Sequence, residues 1–164
     1  PPRVVGEICI RSPANMLGYW RRPEATAAVL QHGYVHTGDA GFVDEQGYVF
    51  VCDRIKDMIS SAGENVYPAE IESVLCAHPA VAEAAVIGVP DDRWGERILA
   101  IVVLRAGASA TAAELLAFTR RQLADFKVPR EVAFAASLPR TPSGKIQKHV
   151  LREPYWAGRS RRVN

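Results

Sequence analysis

Apolar and polar positions alternate from Gly6 to Arg11 with the two-residue period of a β-strand. Pro23 to Gln31 breaks that rhythm, and its leading proline and alanine-rich body predict a short helix. Alternation returns on both sides of Asp44-Glu45-Gln46-Gly47, where Gly41-Phe42-Val43 and Tyr48-Val49-Phe50-Val51 predict a β-hairpin closed by a glycine-containing turn. The first third therefore reads as a small β-rich unit. After Arg54 the pattern changes to helices alternating with strands. Pro68 to Ala77 sets Ile71, Val74 and Leu75 on one helical face, and Val81 to Val89 is strand-like. Ile98 to Leu104 is apolar without interruption and suits a central strand. Thr111-Ala112-Ala113-Glu114 has the spacing of a capping box, opening a helix with Ala112, Leu115, Leu116, Thr119 and Leu123 along one stripe. Val132 to Ala135 adds one more strand. The expected fold class is α+β, with a boundary near residue 55 and no internal repeat or low-complexity segment.

Composition narrows the class. With 48% hydrophobic and 23% charged residues in 164, the chain has enough apolar material for one domain and part of another. It begins Pro1-Pro2, has no charged-then-apolar leader, and its apolar runs are too short to span a bilayer. A cytoplasmic, truncated chain is expected. Cys9, Cys52 and Cys76 are widely spaced with no CxxC pair, and Gly33 separates His32 from His36, so neither a disulfide framework nor a metal site is predicted. The net charge of +2 conceals an asymmetry: Arg120 to Arg162 holds eleven Lys or Arg against Asp125, Glu131 and Glu153. Such a segment attracts nucleotides, CoA or nucleic acid, unless it is simply a solvated basic face.

Three segments carry candidate chemistry. In Tyr34-Val35-His36-Thr37-Gly38-Asp39 a glycine allows a tight turn, and the Asp39 carboxylate can accept two hydrogen bonds from a ribose diol; a plain turn is the simpler use. In Asp53-Arg54-Ile55-Lys56-Asp57, Arg54 offers a planar fork of donors to nucleotide oxygens, and the small Ser61, Ala62 and Gly63 that follow let a backbone approach a ligand; a surface salt-bridge cluster is the alternative. In Pro139-Arg140-Thr141-Pro142-Ser143-Gly144-Lys145 a rigid-then-flexible stretch presents Lys145 from a loop. This is not a phosphate loop, because Pro139 stands where that motif has Gly and Ile146 where it has Ser or Thr.

The order of these segments, with Gly6-Glu7-Ile8 and Gly18-Tyr19-Trp20 before them and Tyr67-Pro68-Ala69-Glu70-Ile71-Glu72 between them, resembles the superfamily of acyl-CoA synthetases, peptide-synthetase adenylation domains and luciferases. The resemblance implies a C-terminal portion of an AMP-forming ligase. Residues 1–54 would be a β-rich piece of its large N-terminal domain, 55–56 a hinge, 57–152 the mobile C-terminal domain with a small sheet flanked by helices, and 153–164 a basic tail. It implies that Lys145 is catalytic, bridging the acyl carboxylate and the ATP phosphate. Asp39, Arg54, Lys56 and Lys145 would bind nucleotide, with Lys56 also the hinge. Ala62, Gly63, Trp94, Phe126 and Arg130 would face CoA. ATP and CoA are the implied substrates, Mg2+ would accompany ATP and be liganded outside this chain, and the missing N-terminal domain is the implied protein partner. Asp53 departs from the glycine that many members carry before the motif arginine. The tail, with Pro154-Tyr155-Trp156, Arg159, Arg161 and Arg162, is similar to tails of actinobacterial fatty-acyl-CoA ligases. The fragment by itself is expected to be inactive. Alternatives are an adenylation-domain fragment that loads a carrier protein and a free-standing CoA- or nucleotide-binding module. Nucleic acid is not expected as a partner, because the basic segment lacks interleaved aromatics.

Overall fold

Strands of β-branched and aromatic residues around a glycine-containing turn build the first part of the chain. They are β1 (Gly6–Ile10), helix α1 (Pro23–Val29), β2 (Leu30–Gln31), β3 (Tyr34–Val43) and β4 (Val49–Arg54). In this computed structural model, which describes residues 1–159, β3 pairs antiparallel with β1, β2 and β4. The unit spans Pro1–Lys56. Among its described residues only Ala40 and Gly41 are buried, while Tyr48, Val49, Phe50 and Val51 stand exposed. Successive strand residues point to opposite faces, so apolar side chains lie exposed on both sides of this hairpin.

The second unit begins at Asp57. It contains β5 (Ile59–Ser61), β6 (Glu64–Val66), helix α2 (Pro68–Cys76), β7 (Val81–Asp91), β8 (Gly95–Leu104), helix α3 (Ala112–Arg120), β9 (Glu131–Phe134) and helix α4 (Lys148–Trp156). The strands form one five-stranded sheet in which β8 pairs antiparallel with β7 and β5 and parallel with β9. The fold is α+β. Alternate residues of the long hairpin fill two cores: Ala84, Val86, Ile98, Ala100 and Val102 pack with Ile71 and Leu75 of α2 and Leu115 of α3. Ala85, Ile87, Val89, Leu99 and Ile101 pack on the other face with Leu138, Ile146 and Leu151. Burial on both faces is why the Ile98–Leu104 run is apolar at every position.

Pro68 opens α2 at its first position, where no intrahelical N–H is needed. Both halves of the Thr111–Glu114 capping box form, with Glu114 N donating to Thr111 Oγ1 at 3.2 Å and Thr111 N to Glu114 Oε2 at 2.7 Å. The helix stops at Arg120, so Leu123 reaches the core from the following turn instead of from the helical stripe. Two elements differ from the sequence reading. The glycine-bearing stretch after Arg54 is a second hairpin, β5–β6, and Glu153 to Trp156 is the last part of α4 and not the start of a tail. Pro154 and a polar surface hide that helix from periodicity, but tertiary contacts hold it: Leu151 enters the second core and Trp156 Nε1 donates to Gly88 O at 3.0 Å. Arg161 and Arg162 lie outside the described residues.

Candidate functional site

In the first unit the strands are irregular where chemistry was expected. Glu7 pairs with Ala40 but Cys9 pairs with His36, so Thr37-Gly38-Asp39 bulges out of β3, and Gly38 turns it with a φ of 71°. Thr37 Oγ1 donates to Ile8 O at 2.7 Å and pins the bulge to β1. Asp39 then stands opposite Arg54 on β4, and the carboxylate takes the guanidinium Nε at 2.7 Å. The two candidate nucleotide ligands are thus one half-exposed pair, each orienting the other. Asp53 receives the Arg54 N–H at 2.7 Å, which braces the backbone just before Arg54. Lys56, the last residue of the unit, lies in the 3-10 turn Ile55–Asp57.

Beside this bulge sits a group the motifs did not point to. His36 Nδ1 lies 2.7 Å from Glu7 Oε2 and 3.6 Å from Cys9 Sγ, and Gly38 N donates to Glu7 Oε1 at 3.1 Å. The His36 hydrogen bond holds the Glu7 carboxyl below its ordinary value, ahead of the opposing effect of burial. Glu7 and Cys9 share one face of a strand, a period-two signal available in the sequence. Their approach to His36 depends on strand pairing across 27 to 29 residues.

In the second unit the Ala62-Gly63 pair closes the β5–β6 hairpin with φ values of 55° and 84°, the positive signs of a type I′ turn. Nothing lies within 4 Å of a Cβ placed on Gly63. The turn faces open space. Ala62 N donates to Trp94 O at 2.9 Å, and the Trp94 ring is flanked by the Arg93 guanidinium at 4.6 Å and that of Arg130 at 5.4 Å. Four of the five candidate CoA residues therefore form one cluster. Phe126 belongs to the 3-10 turn Asp125–Lys127, where its ring lies 5.7 Å from Lys127 Nζ. Glu96, which sequence reasoning missed, is 4% exposed and its Oε2 accepts from Ser60 N at 3.0 Å, fixing the strand that carries the turn.

Lys145 projects from a tight loop bridged at Arg140 and Ile146. Thr141 N donates to Lys145 O at 2.8 Å, Lys145 N donates to Thr141 Oγ1 at 3.1 Å, and Gly144 adopts a φ of 83°. Arg140 joins Glu83 at 2.7 Å, which ties the loop to the start of β7. The lysine is exposed, and among the described residues its ammonium has no ion-pair partner, whereas nearby Lys148 is held by Glu72 at 2.8 Å. Ser61 pairs with Gly95 at the opposite end of the same hairpin. From Glu83 to Asp91 at about 3.3 Å per residue, the lysine loop and the glycine turn are roughly 25 Å apart.

Residues 70–145 of the second unit, which include the long hairpin and the loop up to Lys145, match the family model of the AMP-binding enzyme C-terminal domain. The chain belongs to the superfamily of AMP-forming acyl-CoA synthetases, corresponding to its C-terminal portion. It is 54% identical over 164 residues to a fatty acid–[acyl-carrier-protein] ligase, ScoC, of Streptomyces coeruleorubidus, covering 100% of this chain and 32% of that protein. It is 49% identical over 152 residues to a long-chain-fatty-acid–CoA ligase of Mycobacterium tuberculosis, covering 93% and 30%. Among solved structures, ATP-bound MatB from Rhodopseudomonas palustris matches with a TM-score of 0.87 at 46% identity, covering 94% of this chain and 31% of that one. The chain thus spans about a third of the length of the relatives it matches.

Proposed function

We propose that the chain is the mobile portion of an ATP-dependent acid–thiol ligase. The parent enzyme would join a carboxylic acid to the α-phosphate of ATP with release of pyrophosphate, then pass the acyl group to the thiol of CoA with release of AMP. The observation that carries this reading is the placing of two braced, exposed loops at opposite ends of one hairpin. A pivot at Lys56 would present them to one centre in turn. In the first step Lys145 neutralises charge gathering between carboxylate and phosphate, and its ammonium, without an ion-pair partner among the described residues, is available for that task. Asp39 binds the ribose hydroxyls while Arg54, already at its side, reaches the ribose and phosphate. In the second step the open face of Ala62-Gly63 admits the pantetheine arm, with Trp94, Arg130 and Phe126 toward the CoA nucleotide.

A fatty acid is the substrate class assigned, in line with the fatty-acid ligases among the matches, and the cytoplasm is the compartment. Mg2+ would arrive with ATP and be held outside this chain, because the one candidate donor group among the described residues, Glu7, Cys9 and His36, includes a thiol unsuited to so hard a cation. A second reading replaces CoA by the pantetheine of an acyl carrier protein, which the 54% identity to a carrier-protein ligase favours.

The test is a chimera in which this chain replaces the equivalent third of a relative. Lys145→Ala should cut pyrophosphate release by about a hundred- to a thousand-fold and spare thioester formation from supplied acyl-adenylate. Equal loss of both steps would refute the division of labour. Supplying CoA or a carrier protein as acceptor separates the two readings. The isolated chain should catalyse no ATP–pyrophosphate exchange, since its described residues hold nothing that cradles the β- and γ-phosphates.

A further inference from the structure

The Glu7, Cys9 and His36 cluster has no task in the proposed reaction, and its geometry is that of a metal site. One ligand atom from each residue lies within 4.8 Å of the other two. A tetrahedral zinc with Zn–S near 2.3 Å and Zn–N near 2.05 Å separates sulfur from nitrogen by about 3.6 Å. Cys9 Sγ and His36 Nδ1 are 3.6 Å apart. The corresponding nitrogen–oxygen edge is about 3.4 Å, so the 2.7 Å contact from His36 Nδ1 to Glu7 Oε2 must open by about 0.7 Å, a small rotation of a part-exposed carboxylate.

The surroundings are suited to hold the ligands in place. Gly38 N donates to Glu7 Oε1 and leaves Oε2 for the cation, the kind of outer contact that orients a metal carboxylate. The Thr37 bond to Ile8 O fixes the two strands between Cys9 and Glu7. The three donors come from two paired strands, so their separation follows from backbone pairing more than from side-chain rotamers. Thiolate, imidazole and carboxylate together favour zinc or another thiophilic divalent ion over magnesium or calcium.

We propose that Glu7, Cys9 and His36 form a binding site for a thiophilic divalent cation, zinc by class, with water in the remaining position. Binding replaces the Cys9 thiol proton, which passes to solvent, and exchanges the His36–Glu7 hydrogen bond for two metal bonds, the imidazole proton moving to Nε2. Because Glu7 also holds the amide of Gly38, the cation would stiffen the bulge that carries Asp39.

The experiment uses the whole 164-residue chain. Titration with Co2+ should produce a thiolate-to-cobalt charge-transfer band at one equivalent, and Zn2+ should displace it. Cys9→Ser should remove the band, and His36→Gln should weaken zinc binding by well over about a hundredfold, beyond the roughly ten- to hundredfold range for losing an outer contact. Cys52→Ser and Cys76→Ser should leave both unchanged. In the unaltered chain, Zn2+ should slow alkylation of Cys9 at least about tenfold while Cys52 and Cys76 react as before, read by peptide mass spectrometry. That measurement needs no variant to fold. Unchanged Cys9 alkylation in saturating Zn2+, or a charge-transfer band that survives Cys9→Ser, overturns the proposal.

Discussion

Replacing Gly63 separates the demand of the turn from the demand of a ligand. The φ of 84° places an L-residue in the left-handed region, which costs about 1 to 2 kcal/mol. A residue larger than glycine also restricts the unfolded chain, returning about 0.4 to 1 kcal/mol, so Gly63→Ala should destabilise the second unit by about 1 kcal/mol. For a unit of this size that lowers the melting temperature by about 5 °C. No atom lies within 4 Å of the added Cβ, so Gly63→Leu should lower it by the same amount, within about 0.5 kcal/mol. Stability is then indifferent to side-chain size. If Gly63 lines the passage of the thiol arm, thioester formation in the chimera should not be: alanine would leave most of that passage open, and leucine would fill it. Paired melts of both variants, with rates of pyrophosphate release and of thioester formation from supplied acyl-adenylate, give the four numbers needed. Equal thioester rates for alanine and leucine would refute the channel role, and a leucine variant far less stable than the alanine one would refute the open face.

Lys145→Ala should cut acyl-adenylate formation by about a hundred- to a thousand-fold and leave the melting temperature unchanged, because the ammonium is exposed and makes no ion pair among the described residues; a shift in melting would show a structural role. Gly88→Ala should destabilise by about 1 to 3 kcal/mol, since the new Cβ would meet Glu96 Oε2 at 2.6 Å and Ile59 at 3.1 Å inside a packed core; a wild-type melt would contradict the packing. The Glu114 carboxyl is held below its usual value, first by the Thr111 backbone N–H and then by the Thr111 hydroxyl. Its contribution is therefore complete above about pH 4.3, the ordinary glutamate value, and is lost as pH falls through the lower folded-state value. Glu114→Gln should accordingly destabilise at neutral pH and reduce the acid sensitivity, and a variant with undiminished acid sensitivity in thermal melts would count against the capping box.

Local signals were enough for elements whose stabilising contacts are local in the chain. The Thr111–Glu114 box, Pro68 at a helix start, the Asp44–Gly47 turn and the unbroken Ile98–Leu104 run each state their conformation through neighbours a few residues away. The family was legible for a related reason: the motifs that carry the resemblance are contiguous segments, such as Thr37-Gly38-Asp39 and Ser143-Gly144-Lys145. Helix α4 was not legible, because Pro154 argues against it locally and the contacts that argue for it are tertiary: Leu151, Trp156, and the pairings of Lys148 with Glu72 and Arg152 with Asp57, each at 2.8 Å. Likewise Glu96 reads as one more surface charge until the sheet closes over it and turns its carboxylate to Ser60. Strand register decided the rest: the β3–β4 pairing sets Asp39 opposite Arg54, and the β1–β3 shift between Glu7 and Cys9 draws His36 to a thiol and a carboxylate from another strand. Such a shift depends on how two distant strands satisfy their backbone hydrogen bonds around a positive-φ glycine, a condition that exists only once both strands are in place.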